Sequence, residues 1–266
     1  MDVPTSTEKL IARKENGIGW VIFNNPQKRN AMSQEMSEAT AATVESYAKD
    51  SEVRVVIFRG EGDKAFVSGA DISQFKERRS SPEGVRASEA LSERTNKAIR
   101  DCPKPTIAMI RGYCMGGGAG LAVACDMRFA SDDSRFGVPA AKLSVGYRFA
   151  GIRRLVELVG PAYTAEIFYT GRQFSAQEAL QMGLVNKIMP AVELEKFVLD
   201  YAAAIAGNAP LTLAAVKQSL IELRKDPVER DLDRVQEMVD ACFASQDYIE
   251  GRTAFMEKRK PAFQGK

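Results

Sequence analysis

The chain of 266 residues contains no histidine. That excludes the Ser–His–Asp and Cys–His mechanisms, imidazole acid–base catalysis and histidine metal ligation. Catalysis here must use carboxylates, tyrosines, lysines or main-chain groups. The four cysteines (Cys102, Cys114, Cys125, Cys242) form no C-x-x-C pair and read as reduced, mostly buried thiols. No apolar run approaches the roughly 20 residues of a membrane span. The first residues, MDVPTSTEKLIARKENG, have no signal-peptide core and carry acids too early for a transit peptide. A cytoplasmic protein is expected. Neither charge sign dominates: 37 basic against 35 acidic side chains leave +2, no footprint for nucleic acid. Acidic residues show no ligand-like cluster, so no metal is expected.

What is present is a globular, 45% hydrophobic composition with regular alternation of elements. Lys9–Lys14 and Trp20–Phe23 flank Asn16-Gly17, a hairpin signal. Ser33 precedes a helical stretch to about Asp50. Val53–Arg59 (VRVVIFR) is a β-branched strand ended by Gly60, and Lys64–Ile72 rises into a Ser-Gly turn. Glu83–Arg100 reads as a helix that Cys102-Pro-Lys-Pro stops. Thr106–Ile110 and Met127–Ala130 are buried strands on either side of an Ala- and Leu-rich helix. Strands and helices of these lengths predict βαβ units in an α/β fold. From Gly151 onward we expect helices and no further strand. The amphipathic stretches Pro210–Arg224 and Leu232–Phe243 would cover the core or reach a neighbouring subunit. Two units are expected, an α/β core over 1–191 and a helical part over 192–266.

The segment CMGGGAGLAVACD, Cys114–Asp126, opens a helix on three glycines, the costliest ordinary residue there. A helix N-terminus presents unpaired N–H groups, and glycine lets a ligand approach them. The Ser68-Gly69-Ala70-Asp71 turn offers the same. Two such amides together would form an oxyanion hole able to stabilise an enolate. The other reading is that the glycines only allow close helix–strand packing. GGGAG does not supply G-x-G-x-x-G, and no phosphate loop is present.

Five motifs occur in order: NPxxxNA (Asn25–Ala31), FVSGADI (Phe66–Ile72), GYCMGGGAGLAVACD (Gly112–Asp126), RFGVP (Arg135–Pro139) and FMEKRKPAF (Phe255–Phe263). Together they resemble the enoyl-CoA hydratase/isomerase family, the crotonases, over nearly the whole chain. The resemblance implies a crotonase-like ββα superhelix with a helical C-terminal region that forms trimers, usually paired into hexamers. It implies an acyl-CoA thioester as substrate, with coenzyme A entering as part of it and no other cofactor. It places the oxyanion amides at Ala70 and Gly117. Lys28, Arg29, Ala31, Ser68, Ala70, Asp71 and Ile72 would hold coenzyme A, with Phe255 and Lys258 closing over its adenine end. Asp71 is expected to be structural, capping the next helix.

The sequence departs from the hydratase pattern at two positions. Gly120 and Ala140 stand where the resemblance calls for the two glutamates that activate water. Hydration needs such a base and acid. Tyr147, in SVGYRFAGI, is the nearest substitute as proton donor, and Arg148 beside it could bind a substrate carboxylate or face solvent. Three readings follow: an enzyme of the hydratase/isomerase type, a decarboxylase of a malonyl-type acyl-CoA using Tyr147, and a non-catalytic acyl-CoA binding protein.

Overall fold

Asn16 and Gly17 both take positive φ, 51° and 78°. They turn β2 (Leu10–Glu15) back into β3 (Ile18–Phe23), antiparallel with Glu15 opposite Ile18. This is the tight hairpin that Asn-Gly specifies. The computed structural model describes residues 1–71, 73 and 81–266. β1 (Asp2–Val3) adds to the outer edge of β2. Beyond β3 the sheet becomes parallel, through β4 (Val55–Gly60), β6 (Thr106–Ile110), β8 (Met127–Ser131) and β11 (Lys187–Met189). The strand order is β1-β2-β3-β4-β6-β8-β11. A smaller sheet stacks β10 (Phe174–Ser175), β9 (Arg135–Gly137), β7 (Tyr113–Met115) and β5 (Ala65–Val67), in that order.

Helices cross between the parallel strands. α1 (Gln34–Lys49) starts on Ser33, whose Oγ accepts the Met36 N–H at 3.3 Å. α2 (Pro82–Asp101) ends at Cys102, ahead of Pro103. α3 (Gly117–Ala124) links β7 to β8. α4 (Phe149–Thr170) kinks at Gly160, φ 76°, ahead of Pro161. α5 (Ala176–Gln181) carries a full capping box between Ser175 and Glu178. α6 (Leu194–Ala206), α7 (Pro210–Leu223), α8 (Leu232–Ala244) and α9 (Gln246–Glu257) complete the chain.

Alternation along β4 divides the core between two faces. Val56 and Phe58 join Phe23, Phe66, Ile110 and Phe136, while Val55 and Ile57 join Trp20, Phe129 and the α6 residues Leu194, Val198 and Ala202. The expected boundary between residues 191 and 192 therefore falls ahead of a helix that packs inside this core. The expectation of no strand after Gly151 is overturned by β10 and β11. They have only two and three residues, too short to show a period of two in sequence. α8 buries none of its residues, and Leu220, Leu223, Leu232, Phe243 and Phe255 are exposed across the last helices. Among the described residues no single helix is long and apolar enough to cross a membrane.

Two surface carboxylates bear on acid stability. Glu178 is held down at about 2, first by the Ser175 N–H and then by the Arg172 guanidinium. Glu250 is held at about 2 by Arg259 and the Ala262 N–H. A folded value below the unfolded one stabilises above the ordinary glutamate range, and that stabilisation is lost as pH falls from about 4.5 towards 2. With no histidine, no side chain ordinarily titrates between pH 5 and 8. We expect a melting temperature that is flat from pH 6 to 8 and falls steadily below pH 4.5, measured by calorimetry.

Candidate active site

The chain leaves β5 into Ser68-Gly69-Ala70-Asp71. Gly69 takes φ 120°, a conformation open only to glycine. The turn makes one parallel bridge to Met32: the Met32 N–H donates to the Gly69 carbonyl and the Asp71 N–H to the Met32 carbonyl, both at 2.8 Å. In such a bridge residues 69 and 71 carry the bonds, and the main-chain groups of Ala70 point to the opposite side.

That opposite side is the start of α3. Gly116 (φ 52°, ψ −113°) donates its N–H to the Gly137 carbonyl at 2.8 Å and hands the chain into the helix at Gly117. The three glycines play different parts. A Cβ on Gly118 would lie 2.2 Å from the Val67 carbonyl oxygen, so this one is a packing glycine. A Cβ on Gly117 would lie 3.9 Å from the Ala70 nitrogen and 3.9 Å from the Gly69 carbonyl carbon. Gly117 is exposed, and as the first residue of α3 it has no intrahelical partner for its N–H. The Gly120 N–H makes the bond back to Gly116, at 3.1 Å. The fold thus brings Ala70 and Gly117 side by side.

Gly120 shares the Gly117 face of α3, three residues on. A Cβ there meets nothing within 4 Å among the described residues. Ala140 is buried in the main core, and its carbonyl accepts the Leu143 and Val145 N–H groups at 3.0 Å. Tyr147 is 38% exposed, its ring edge-on to Phe168 with centroids 4.8 Å apart. Arg148 faces solvent, and its Nε and Nη2 donate to Glu89 on α2 at 2.9 and 2.6 Å.

Lys28 and Arg29 diverge. Lys28 Nζ donates to Asp71 Oδ2 and to Ser73 Oγ, both at 2.9 Å. Arg29 places its guanidinium 5.2 Å from the centre of the Tyr113 ring. It lines a cleft of about 310 Å³ with Asp63, Lys64, Asp133 and Arg135. Ser68 N–H and Oγ donate to the Arg29 and Lys28 carbonyls at 3.2 and 3.3 Å, and the Ala31 N–H to the Lys28 carbonyl at 3.0 Å. The Ser68 bonds knit the Asn25–Ala31 turn to the Ala70 turn, and the Ala31 bond closes the first turn on itself. Asp71, 7% exposed, accepts from the Ser73 N–H and Oγ at 3.1 and 2.7 Å. Burial alone would raise its carboxyl, but the Ser73 and Lys28 bonds together hold it below the usual aspartate value. The helix it was expected to cap, and Ile72, lie outside the described residues.

Phe255, fully on the surface, and Lys258, the left-handed residue ending α9, sit in the last helix. Among the described residues no hydrogen bond or ion pair joins either to the Ala70 and Gly117 turns. Cys114 and Cys125 are no substitute nucleophiles: burial pushes Cys125 up to about 12 and Cys114 up likewise. Sequence reasoning passed over Arg128, whose signal was a lone cation inside the buried strand MRFAS.

The family model for enoyl-CoA hydratase/isomerase matches residues 13–266. The chain is similar to the short-chain-enoyl-CoA hydratase of Clostridium acetobutylicum, at 35% identity over 251 residues, 94% of this chain and 95% of that one. It is equally similar to the crotonyl-CoA hydratase of Syntrophomonas wolfei, at 35% over 256 residues, 96% and 98% of the two chains. A crystal structure of an enoyl-CoA hydratase/carnithine racemase from Magnetospirillum magneticum matches with a TM-score of 0.92 at 35% identity, covering 98% of this chain and 97% of its own. With the five motifs, the fold and these relatives in agreement, the chain belongs to the enoyl-CoA hydratase/isomerase family, the crotonases.

Proposed function

We propose that the protein is an acyl-CoA-processing enzyme of the hydratase/isomerase type, stabilising a thioester enolate between the amides of Ala70 and Gly117. The observation that carries this is the abutment of two turns: Ala70 has its main-chain groups facing away from Met32, and Gly117 is an exposed first residue of a helix. Donors fixed before the reaction stabilise a growing negative charge without reorganising, often a large share of catalysis. Arg29, lining an open cleft, is the better placed of the two cations to meet coenzyme A phosphates, because Lys28 already neutralises Asp71. Ala31 and Ser68 would line the coenzyme A portion of the substrate. The exposed apolar side chains of α7–α9 suit a homotrimer or a dimer of trimers, in which Phe255 and Lys258 would serve a neighbouring site. The protein would work in the cytoplasm.

A second reading follows from Gly120 and Ala140, neither of which can hold water or move a proton. Loss of CO₂ from a malonyl-type acyl-CoA needs no base. The carbon–carbon bond breaks, its electron pair forms the enolate, and Tyr147 would return a proton to the α-carbon. A third reading keeps the cradle as a binding site without turnover.

A mass-spectrometric turnover screen over saturated, unsaturated and carboxylated acyl-CoAs separates the three. Addition of water to crotonyl-CoA supports the first, release of CO₂ from methylmalonyl-CoA the second, and saturable binding without turnover the third. On a decarboxylated substrate, Tyr147→Phe is expected to lower turnover by about 100-fold, the lower range for a general acid, with little change in KM. Undiminished turnover removes Tyr147 from the chemistry.

A further inference from the structure

Arg128 lies on β8, between β6 and the edge strand β11 of the large sheet, and is 4% exposed. Among the described residues its guanidinium meets main-chain carbonyls only: Nε donates to Leu184 at 2.7 Å, and Nη1 to Cys125 at 2.7 Å and Ala122 at 3.3 Å. Nη2 reaches the Asp126 carbonyl at 3.4 Å. No carboxylate pairs with it among the described residues; the Asp126 side chain is turned to Thr106 and Lys217. Asn186 brackets the strand around it, accepting the Arg128 N–H on Oδ1 and donating its own N–H to the Arg128 carbonyl, both at 2.8 Å. A buried, unpaired cation is a costly thing to keep.

Three of those four carbonyls sit at or just beyond the end of α3. That helix is eight residues, about 12 Å long, and it carries no basic residue in its own last turn. Its other end is Gly117. Close contact between Gly118 and Val67 fixes the N-terminal end, and Arg128 fixes the C-terminal end. A short rigid rod passes an axial shift at one end to the other, and a misplacement of about 1 Å in a reacting geometry costs on the order of 100-fold. The charge acts in the same sense. A cation about 12 Å behind the helix N-terminus favours an anion there by about tenfold at an effective dielectric near 20, added to the helix's own field.

We infer that Arg128 is a positioning residue for the enolate site, clamping the carbonyl end of α3 so that the Gly117 amide holds its place against Ala70. This rests on the oxyanion reading above. The test uses two probes on the intact protein: acetoacetyl-CoA, whose bound enolate is read by its near-ultraviolet absorbance against the keto form, and coenzyme A, which has no carbonyl to stabilise. If the wild-type protein binds coenzyme A but does not raise the enolate fraction, the oxyanion reading itself fails, independently of Arg128. Given a raised fraction, Arg128→Met is expected to cut the enolate-to-keto ratio by about tenfold or more while coenzyme A affinity stays within about threefold. Arg128→Lys, which keeps the charge without the fork, is expected to recover part of the loss. A folded Arg128→Met with the wild-type ratio overturns the inference, as does a ratio that falls only in step with coenzyme A affinity. Should the methionine variant not fold, the lysine variant decides: a lowered ratio at unchanged coenzyme A affinity supports the clamp, and an unchanged ratio overturns it.

Discussion

Gly117→Pro is expected to abolish nearly all turnover while leaving the fold intact. Gly117 is the first residue of α3, the helix position at which proline is tolerated because its N–H has no intrahelical partner and its φ is already suitable. The preceding Gly116, at φ 52° and ψ −113°, keeps clear of the αR region that a following proline forbids. The substitution therefore removes one hydrogen-bond donor and little else from the scaffold. Loss of a single oxyanion donor costs about 100- to 1,000-fold in kcat, or about 3–4 kcal/mol of transition-state stabilisation. Bulk is controlled by Gly117→Ala, which keeps the amide. Among the described residues its Cβ would have no neighbour closer than 3.9 Å, ordinary contact, so turnover within about fivefold of wild type and slightly higher stability are expected. The pair is compared on whichever thioester the screen identifies, with melting curves alongside. A folded proline variant that turns over normally would falsify the assignment of the Gly117 amide.

The helix–strand rhythm was readable because each early element carries its own local signal. Asn16-Gly17 supplies the two positive φ values, Ser33 supplies a cap for α1, and Pro103 stops α2. β4 is apolar from Val55 to Phe58 because both of its faces are covered there, as its division between two core clusters shows. The small sheet was not readable. Its strands have two or three residues, and the β9–β10 partners Phe136 and Phe174 lie far apart in sequence. The candidate site shows the same limit. Motif spacing marks Ala70 and Gly117, but nothing local says that Lys28 meets Asp71 or that Arg148 meets Glu89. Each such pair depends on where two distant elements dock, which a single sequence does not encode at either end. Arg128 and Lys217 were legible only as anomalies, single cations within apolar stretches.

Lys217 carries the second large effect. It lies on α7 at 5% exposure and donates from Nζ to Asp126 Oδ2 at 2.8 Å and to the Lys104 carbonyl at 2.9 Å. Asp126 Oδ2 also accepts the Thr106 N–H and hydroxyl, at 2.8 and 2.9 Å. One buried ammonium thus ties the C-terminal helices to the approach to β6 and to Asp126, the second residue after α3. Removing one partner of a buried pair ordinarily costs about 3–5 kcal/mol. Lys217→Met belongs near the lower end, because Asp126 retains its Thr106 bonds and its side chain is 28% exposed, so water replaces part of the loss. Asp126→Ala belongs higher, because it leaves the ammonium in the interior with the Lys104 carbonyl as its named partner. A loss of about 3 kcal/mol lowers the melting temperature of a chain this size by roughly 6–12 °C. The double variant is expected to be less destabilised than the sum of the singles, since neither charge is then stranded, and that coupling is measurable in a thermodynamic cycle. Additive effects, or a Lys217→Met midpoint within about a degree of wild type, would mean that α7 is held by its apolar contacts alone. The coupled outcome would instead make this junction, one residue from Cys125 and two from Arg128, the point where docking of the C-terminal helices and the placement of α3 are secured together.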